Sequence, residues 1–182
     1  MTDWIIYGGG GHARVIADAI KLTGDNVIAY FDDNPSLSSI NDVPVFSYNE
    51  NIAPHAKIII AIGNNQLRKD VANNIAHQFG TLIHPRATVA DDVVIGEASV
   101  VLAGSVIQSG AIIGKHVVVN ANVTIDHDVV LDDFVSIYPN AYIGGGAKVG
   151  IGATIAACSA VERLLEIPAE FTNDAVMELD LY

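Results

Sequence analysis

Hydrophobic and polar positions divide the chain into two regimes. In the first, short apolar runs alternate with segments of helical spacing. Trp4-Ile5-Ile6-Tyr7 reads as a strand running into Gly8-Gly9-Gly10-Gly11. His12 to Leu22 places Val15, Ile16, Ala19 and Ile20 on one side of a helix. Val27 to Phe31 is a second strand, ending at Asp32-Asp33, and Ile58 to Ile62 a third, ending at Gly63-Asn64-Asn65. Gln66 to Phe79 follows with helical spacing. Asn34 to Pro54 is polar and proline-bearing, a loop with room for one short strand near Val45. This β-α-β-loop-β-α order predicts an α/β, Rossmann-like domain over 1–81, with a parallel sheet and crossover helices.

From Ile83 the period becomes six. Ile, Val or Leu occupies Ile83, Val89, Ile95, Val101, Ile107, Ile113, Val119, Ile125, Leu131, Ile137, Ile143, Val149, Ile155 and Val161 without a slip. Four residues after each of these, up to Ser159, stands only Ala, Val or Ser. Hexapeptide periodicity predicts a parallel β-helix over 82–161. Each hexapeptide forms one side of a triangular coil, the aliphatic row fills the axis, and the small row fits the tight corners. Spacing leaves handedness open; so tight a period resembles the left-handed form. The repeat fades after Val161, and 162–182 reads as an atypical acidic C-terminal cap.

Outward positions carry their own pattern. Val94, Ile112 and Val130 stack on one side, and Val100 and Val118 on the next. β-branched residues suit strands wherever they point. Continuous outward apolar rows also form a patch, which predicts a subunit interface.

Composition narrows the partners. A formal charge of −12 with nine Lys and Arg argues against non-specific nucleic-acid binding. Backbone N–H groups can still hold a phosphate. A lone Cys158 excludes an internal disulfide and fits a reducing cytoplasm. No apolar stretch is long enough to cross a membrane, and Met1-Thr2-Asp3 does not begin a signal peptide.

Two constellations carry candidate chemistry. Gly8 to Ala13 contains Gly-x-Gly-x-x-Ala between a strand and a helix, with Asp32 about twenty residues on. That is close to a dinucleotide fingerprint, in which glycines admit a phosphate and the acid meets a ribose hydroxyl. The unit is short, and one nucleotide diphosphate suits it better than two nucleotides; an ordinary glycine turn is the alternative. The second is His127-Asp128 at a β-helix corner. Histidine suits proton removal from an amine near neutral pH, and a neighbouring carboxylate orients the ring. Gly145 falls one coil above on the same corner, where its N–H could polarise a carbonyl. A corner His-Asp pair can equally be a solvated surface feature. Asn120 offers an amide to a sugar. His12 is a cap-region residue or a substrate contact, and His84 shapes the interdomain turn. His55 and His77 read as surface residues, while His116 fits no motif.

The segments Tyr-Gly-Gly-Gly-Gly-His-Ala-Arg-Val-Ile-Ala-Asp at 7–18, Phe-Asp-Asp-Asn at 31–34, Ala-Ile-Gly-Asn-Asn at 61–65, Leu-Ile-His-Pro-Arg-Ala at 82–87 and Ile-Asp-His-Asp at 125–128 occur in one order. Together they resemble bacterial nucleotide-sugar acetyltransferases of the hexapeptide-repeat family. The type is that of UDP-N-acetylbacillosamine N-acetyltransferase, with related sialic-acid O-acetyltransferases and perosamine N-acetyltransferases. The resemblance implies a homotrimer with acetyl-CoA as co-substrate lying along the β-helix between subunits, and no metal. It implies that Gly8, Gly9, Gly10, Gly11 and His12 hold phosphates, that Asp32 and Asp33 meet base or ribose, and that Gly63 and Asn64 line the same cleft. His127 then matches the catalytic base and Asp128 its acidic partner, with Ser136 and Gly145 facing the acetyl donor. Ser136 stands where the family often has a histidine, and the family normally continues for more coils than the repeat here suggests.

The expected activity is therefore acetyl transfer from acetyl-CoA to a UDP-4-amino-sugar type of substrate, in the cytoplasm. Sugar O-acetylation uses the same machinery. A non-catalytic sugar-binding relative with a shortened CoA site is a further alternative. A zinc hydrolyase of trimeric β-helix type is disfavoured, because His84, His116 and His127 lack His-x4-His spacing.

Overall fold

The computed structural model describes residues 1–172. The N-terminal sheet contains β1 (Asp3–Tyr7), β2 (Asn26–Phe31), β3 (Ser39–Ile40), β4 (Val43–Phe46) and β5 (Lys57–Ile60), in the order β3-β4-β2-β1-β5. All pairings are parallel except β3 with β4. Helix α1 (Gly11–Leu22) crosses from β1 to β2, after which the chain moves to the other side of β1 to form β5. Such a reversal opens a crevice at the carboxyl ends of the strands, where Gly8–Gly11, Asp32 and Gly63 emerge.

Helix α2 (Asn65–Ala72) is shorter than the helical spacing to Phe79 predicts. Asn73 and Asn74 follow it, and Asn74 Nδ2 donates to the Asp70 carbonyl at 2.8 Å. Such side chains compete for backbone partners and end helices. Phe79 instead bridges beside Ile58 as an extended residue. The third strand likewise ends at Ile60 rather than Ile62.

Beyond Leu82, two-residue strands stack at intervals of eighteen into three parallel sheets. From Ala87 and Val89 onward, the aliphatic row and the row of small residues form one continuous interior. Interior hydroxyls are satisfied: Ser99 Oγ donates to Gly114 O at 2.8 Å and Ser105 Oγ to Asn120 O at 2.7 Å. From Ala98 to Glu170 every sixth residue has positive φ, and the set includes Gly104, His116, Asn122, Asp128, Phe134 and Asn140. Each corner therefore takes one left-handed step, which Gly, Asn and Asp make at least cost.

The coils do not stop at Val161. Glu166–Ile167 pairs in parallel with Lys148–Val149, and Thr172 bridges to Thr154. Ile167 extends the aliphatic row. Leu165 stands where the small row would continue, and is tolerated because it turns outward, 45% exposed. The cap reading of 162–182 is corrected as far as Thr172, and its remainder lies outside the described residues.

The three faces have different fates. The face bearing Leu82, Val100, Val118, Ser136 and Thr154 lies against the N-terminal domain. Leu82, Val100 and Leu102 share a buried cluster with Trp4, Ile16 and Ile20. The Val100/Val118 row is thus covered within one chain, not by a second subunit. The Val94/Ile112/Val130 row stays open, with Val94 59% and Ile112 48% exposed.

Candidate functional site

The glycine loop is shaped by Asp32. Gly8 has φ of 110°, and a Cβ there would meet the Ala61 carbonyl at 3.1 Å, so glycine is required for the tight passage beside β5. Gly9 N donates to Asp32 Oδ2 at 2.6 Å, and Asp32 Oδ1 accepts Asn34 N at 2.8 Å. Gly10, at the N-cap of α1, has open space around its missing Cβ and no side-chain cap. The first-turn N–H groups of α1 therefore lack a side-chain cap, a local anion-binding arrangement. Asp33 accepts the Tyr7 hydroxyl at 3.3 Å. His12 has its Nε2 buried without a hydrogen-bond partner among the described residues. Burial, and then the Arg68 charge, lower its pKa.

Asn64 caps α2 by accepting Leu67 N at 2.8 Å. Together with Gly63, Asn65, Gln66 and Lys69 it forms one wall of a cleft of about 960 Å³, which Tyr138, Thr154 and Glu170 close from the β-helix side.

The second constellation lies at a corner away from that cleft. His127 Nδ1 is 2.8 Å from Asp128 Oδ2, and Asp128 makes the left-handed step there with φ of 59°. The backbone turn brings the two side chains into contact although they are sequence neighbours. His127 N donates to Asp126 Oδ1 at 2.8 Å, and the Tyr142 hydroxyl donates to Asp126 Oδ2 at 2.9 Å. The hydrogen bond from His127 N, then that from Tyr142, hold the Asp126 carboxyl below its usual range. Gly145 lies over the ring: a Cβ there would be 2.7 Å from His127 Nε2. The arrangement has a half-exposed imidazole, a carboxylate on one ring nitrogen and open backbone above the other. That geometry can accept a proton from a nucleophile.

Other expected residues are distributed differently. Asn120 stands at another corner, where its Nδ2 donates to Ile137 O at 2.8 Å. Ser136, expected beside the acetyl donor, has its hydroxyl engaged inside the chain. It is buried, donating to Asn65 Oδ1 at 2.7 Å and accepting from Arg68 Nη2 at 3.2 Å. His77 is buried rather than on the surface, with Nε2 2.9 Å from Ile52 O. His116 is buried between Phe79 and Phe134, stacked on the latter at 4.7 Å.

Sequence reasoning passes over Asp126, Tyr142 and Arg68. Asp126, directly before the histidine, is a readable signal. Tyr142 can be found by counting eighteen from Thr124, one coil below. Arg68 has no local signal, since its partners on the β-helix lie 48 to 68 residues away.

Known proteins match this arrangement. The PglD N-terminal domain matches residues 3–75, and the bacterial transferase hexapeptide (six repeats) matches residues 92–127. UDP-N-acetylbacillosamine N-acetyltransferase of Bacillus subtilis (strain 168) is 34% identical over 113 residues, covering 57% of this chain and 52% of that protein. The match thus spans about half the length of that relative. The acetyltransferase domain of PglB from Neisseria gonorrhoeae FA1090 is 30% identical, with TM-score 0.70, covering 94% of this chain and 91% of its own. The same domain has been solved in complex with acetyl coenzyme A, at 29% identity and TM-score 0.72, covering 93% and 94%. A mutant of perosamine N-acetyltransferase from Caulobacter crescentus, in complex with CoA and GDP-perosamine, is 26% identical with TM-score 0.69, covering 94% and 88%. Glycine loop, crevice and corner histidine thus stand in a chain that belongs to the hexapeptide-repeat family of bacterial nucleotide-sugar acetyltransferases.

Proposed function

We propose that this protein transfers the acetyl group of acetyl-CoA to the amine of a nucleotide-linked amino sugar. The observation that carries the reading is the His127–Asp128 pair beneath Gly145. In the reaction the neutral sugar amine attacks the thioester carbonyl, and His127 takes the proton that the nitrogen loses. Asp128 holds the ring and stabilises its charged form. The tetrahedral intermediate collapses with cleavage of the C–S bond, and the thiolate of CoA recovers the proton from His127. The Gly8–Gly11 loop receives the diphosphate at the start of α1, with Asp32 fixing the loop rather than waiting free for the ribose. Relatives solved with acetyl coenzyme A and with GDP-perosamine support both substrate classes. The continuation of the coils to Thr172 supports a full-length acetyl-donor groove and weakens the non-catalytic alternative.

The reading includes a homotrimer. The N-terminal domain covers one face of the β-helix, while His127 stands at the corner between the other two faces. Nucleotide crevice and base of one chain are therefore apart, and a site joining them draws His127 from a neighbouring copy. The open Val94/Ile112/Val130 row is the surface for that contact. No helix among the described residues is long and apolar enough to cross a membrane. The reading also assigns the reaction to the cytoplasm, where acetyl-CoA and nucleotide sugars meet.

Screening UDP-, GDP- and dTDP-linked amino sugars with acetyl-CoA, with products read by mass spectrometry, tests the proposal. An N-acetylated product is expected from one of them. Acetylation of a sugar hydroxyl instead would move the chemistry to ester formation. Tight nucleotide-sugar binding without any transfer would overturn the enzyme reading.

A further inference from the structure

Arg68 is 1% exposed and lies between the two domains. Its Nη1 donates to Ile62 O at 2.9 Å and its Nη2 to Asn65 Oδ1 at 2.8 Å, the two ends of the segment whose Gly63, Asn64 and Asn65 line the cleft. On the β-helix side Nε donates to His116 O at 3.1 Å, and Nη2 to Phe134 O at 3.0 Å and Ser136 Oγ at 3.2 Å. His116 and Phe134 occupy equivalent corners of consecutive coils, both at positive φ. Asn65 extends the connection one coil further, its Nδ2 donating to Gly152 O at 2.8 Å and Thr154 Oγ1 at 3.0 Å. A single guanidinium and its neighbouring amide thus join the Ile62–Asn65 segment to three successive coils.

Every acceptor of Arg68 in this network is neutral. Burial draws its pKa down to about 10, so it remains cationic at neutral pH. A charge buried without an ion partner is costly, and the fork of five donors offsets that cost only if each acceptor is held in place. The network therefore has few alternative geometries. Gly63, Asn64 and Asn65 of the Ile62–Asn65 segment also line the large cleft.

We propose that Arg68 is a positioning residue, fixing the Ile62–Asn65 wall against the β-helix in the arrangement that receives substrate. The proposal deepens the acetyl-transfer reading and rests on it for its kinetic readout. Without the fork the wall samples open arrangements, and apparent affinity becomes the intrinsic affinity multiplied by the fraction of time the wall is closed. The chemistry at His127, on a different corner, is not altered once substrate is bound.

Arg68→Lys retains the charge and loses the fork. Hydrogen exchange of amides 62–66 should rise about tenfold while that of amides 124–131 stays as in the wild type. KM for the nucleotide sugar should rise about tenfold, with saturating kcat within about threefold. A folded Arg68→Lys with wild-type exchange at 62–66 would overturn the proposal, as would a loss confined to kcat. If Arg68→Lys does not fold, Ser136→Ala carries the test by removing one arm, with exchange at 62–66 about threefold faster; unchanged exchange there overturns it equally. A wild type that acetylates no nucleotide-linked amino sugar removes the acetyl-transfer reading, and the exchange result still decides the role of Arg68.

Discussion

Gly145 lies over the imidazole of His127, so close that a Cβ on it would stand 2.7 Å from Nε2 and 2.9 Å from Cε1. Gly145 is not among the residues of positive φ, so a side chain there is opposed by the ring and not by the backbone. Gly145→Ala should leave the fold intact and displace His127 from Asp128, lowering kcat. His127→Ala should lower kcat by about two to four orders of magnitude, the span for losing a general base. Asp128→Asn should cost less, because the base remains. Combining Gly145→Ala with His127→Ala should add little to the loss from His127→Ala alone, since both act on one group. Steady-state kinetics of these variants checks the set; full activity in His127→Ala would dismiss the mechanism.

Nucleotide binding can be separated from folding at Gly10. The space around its missing Cβ is open, so Gly10→Val should fold, with only the small loss expected of a poorer N-cap, and fail to bind the nucleotide sugar. Asp32→Ala acts differently. It removes the acceptor of Gly9 N and of Asn34 N, so it should weaken binding by loosening the loop. Calorimetry with the nucleotide sugar checks both, and equal binding by Gly10→Val would assign the loop another role.

The proposed trimer rests on the open apolar row. Ile112→Lys places a charge between Val94 and Val130 and should leave the chain monomeric, because an unpaired charge would have to be buried at the proposed interface. Val118→Lys should instead disturb folding of the monomer, since Val118 is already covered. Light scattering distinguishes the two, and a wild type that is monomeric at micromolar concentration would remove the trimer.

His116 gives the fold an acid sensitivity. Burial, then the charge of Arg68, push its pKa down to about 4 against the carboxylates of Glu97 and Asp133, which raise it; Lys115 acts with Arg68. The folded chain therefore binds a proton less readily than the unfolded one, whose histidine titrates near the ordinary 6.5. This contribution is flat above pH 6.5, falls as the pH drops toward 4, and is flat again below. Its span is about 3 kcal/mol. His116→Asn keeps a residue suited to the left-handed corner and removes the titration. The difference in unfolding free energy between wild type and His116→Asn should change by about that amount across this window, in the direction of wild-type loss. A difference that does not vary with pH would show that His116 titrates alike in both states.

Spacing along the chain is enough to specify the coil. Its inward rows repeat because every hexapeptide must fill the same axis and pass the same corner, so local spacing and stacking demand the same residues. The shared corner of His127 and Gly145 is equally legible, since it follows from counting eighteen. Which outward residues are covered is settled elsewhere. The Val100/Val118 row and the Val94/Ile112 row look alike in one dimension. Yet the first lies under α1 and its sheet while the second stays open. Exposure of an outward side chain depends on where a distant domain docks, and no local period records that. The same reason hides Arg68, His77 and His116, whose burial comes from partners that no repeat places beside them, Phe79 in the case of His116. It also hides the coil after Val161. There Leu165 breaks the small row, and only pairing of Glu166–Ile167 with the coil below restores the register.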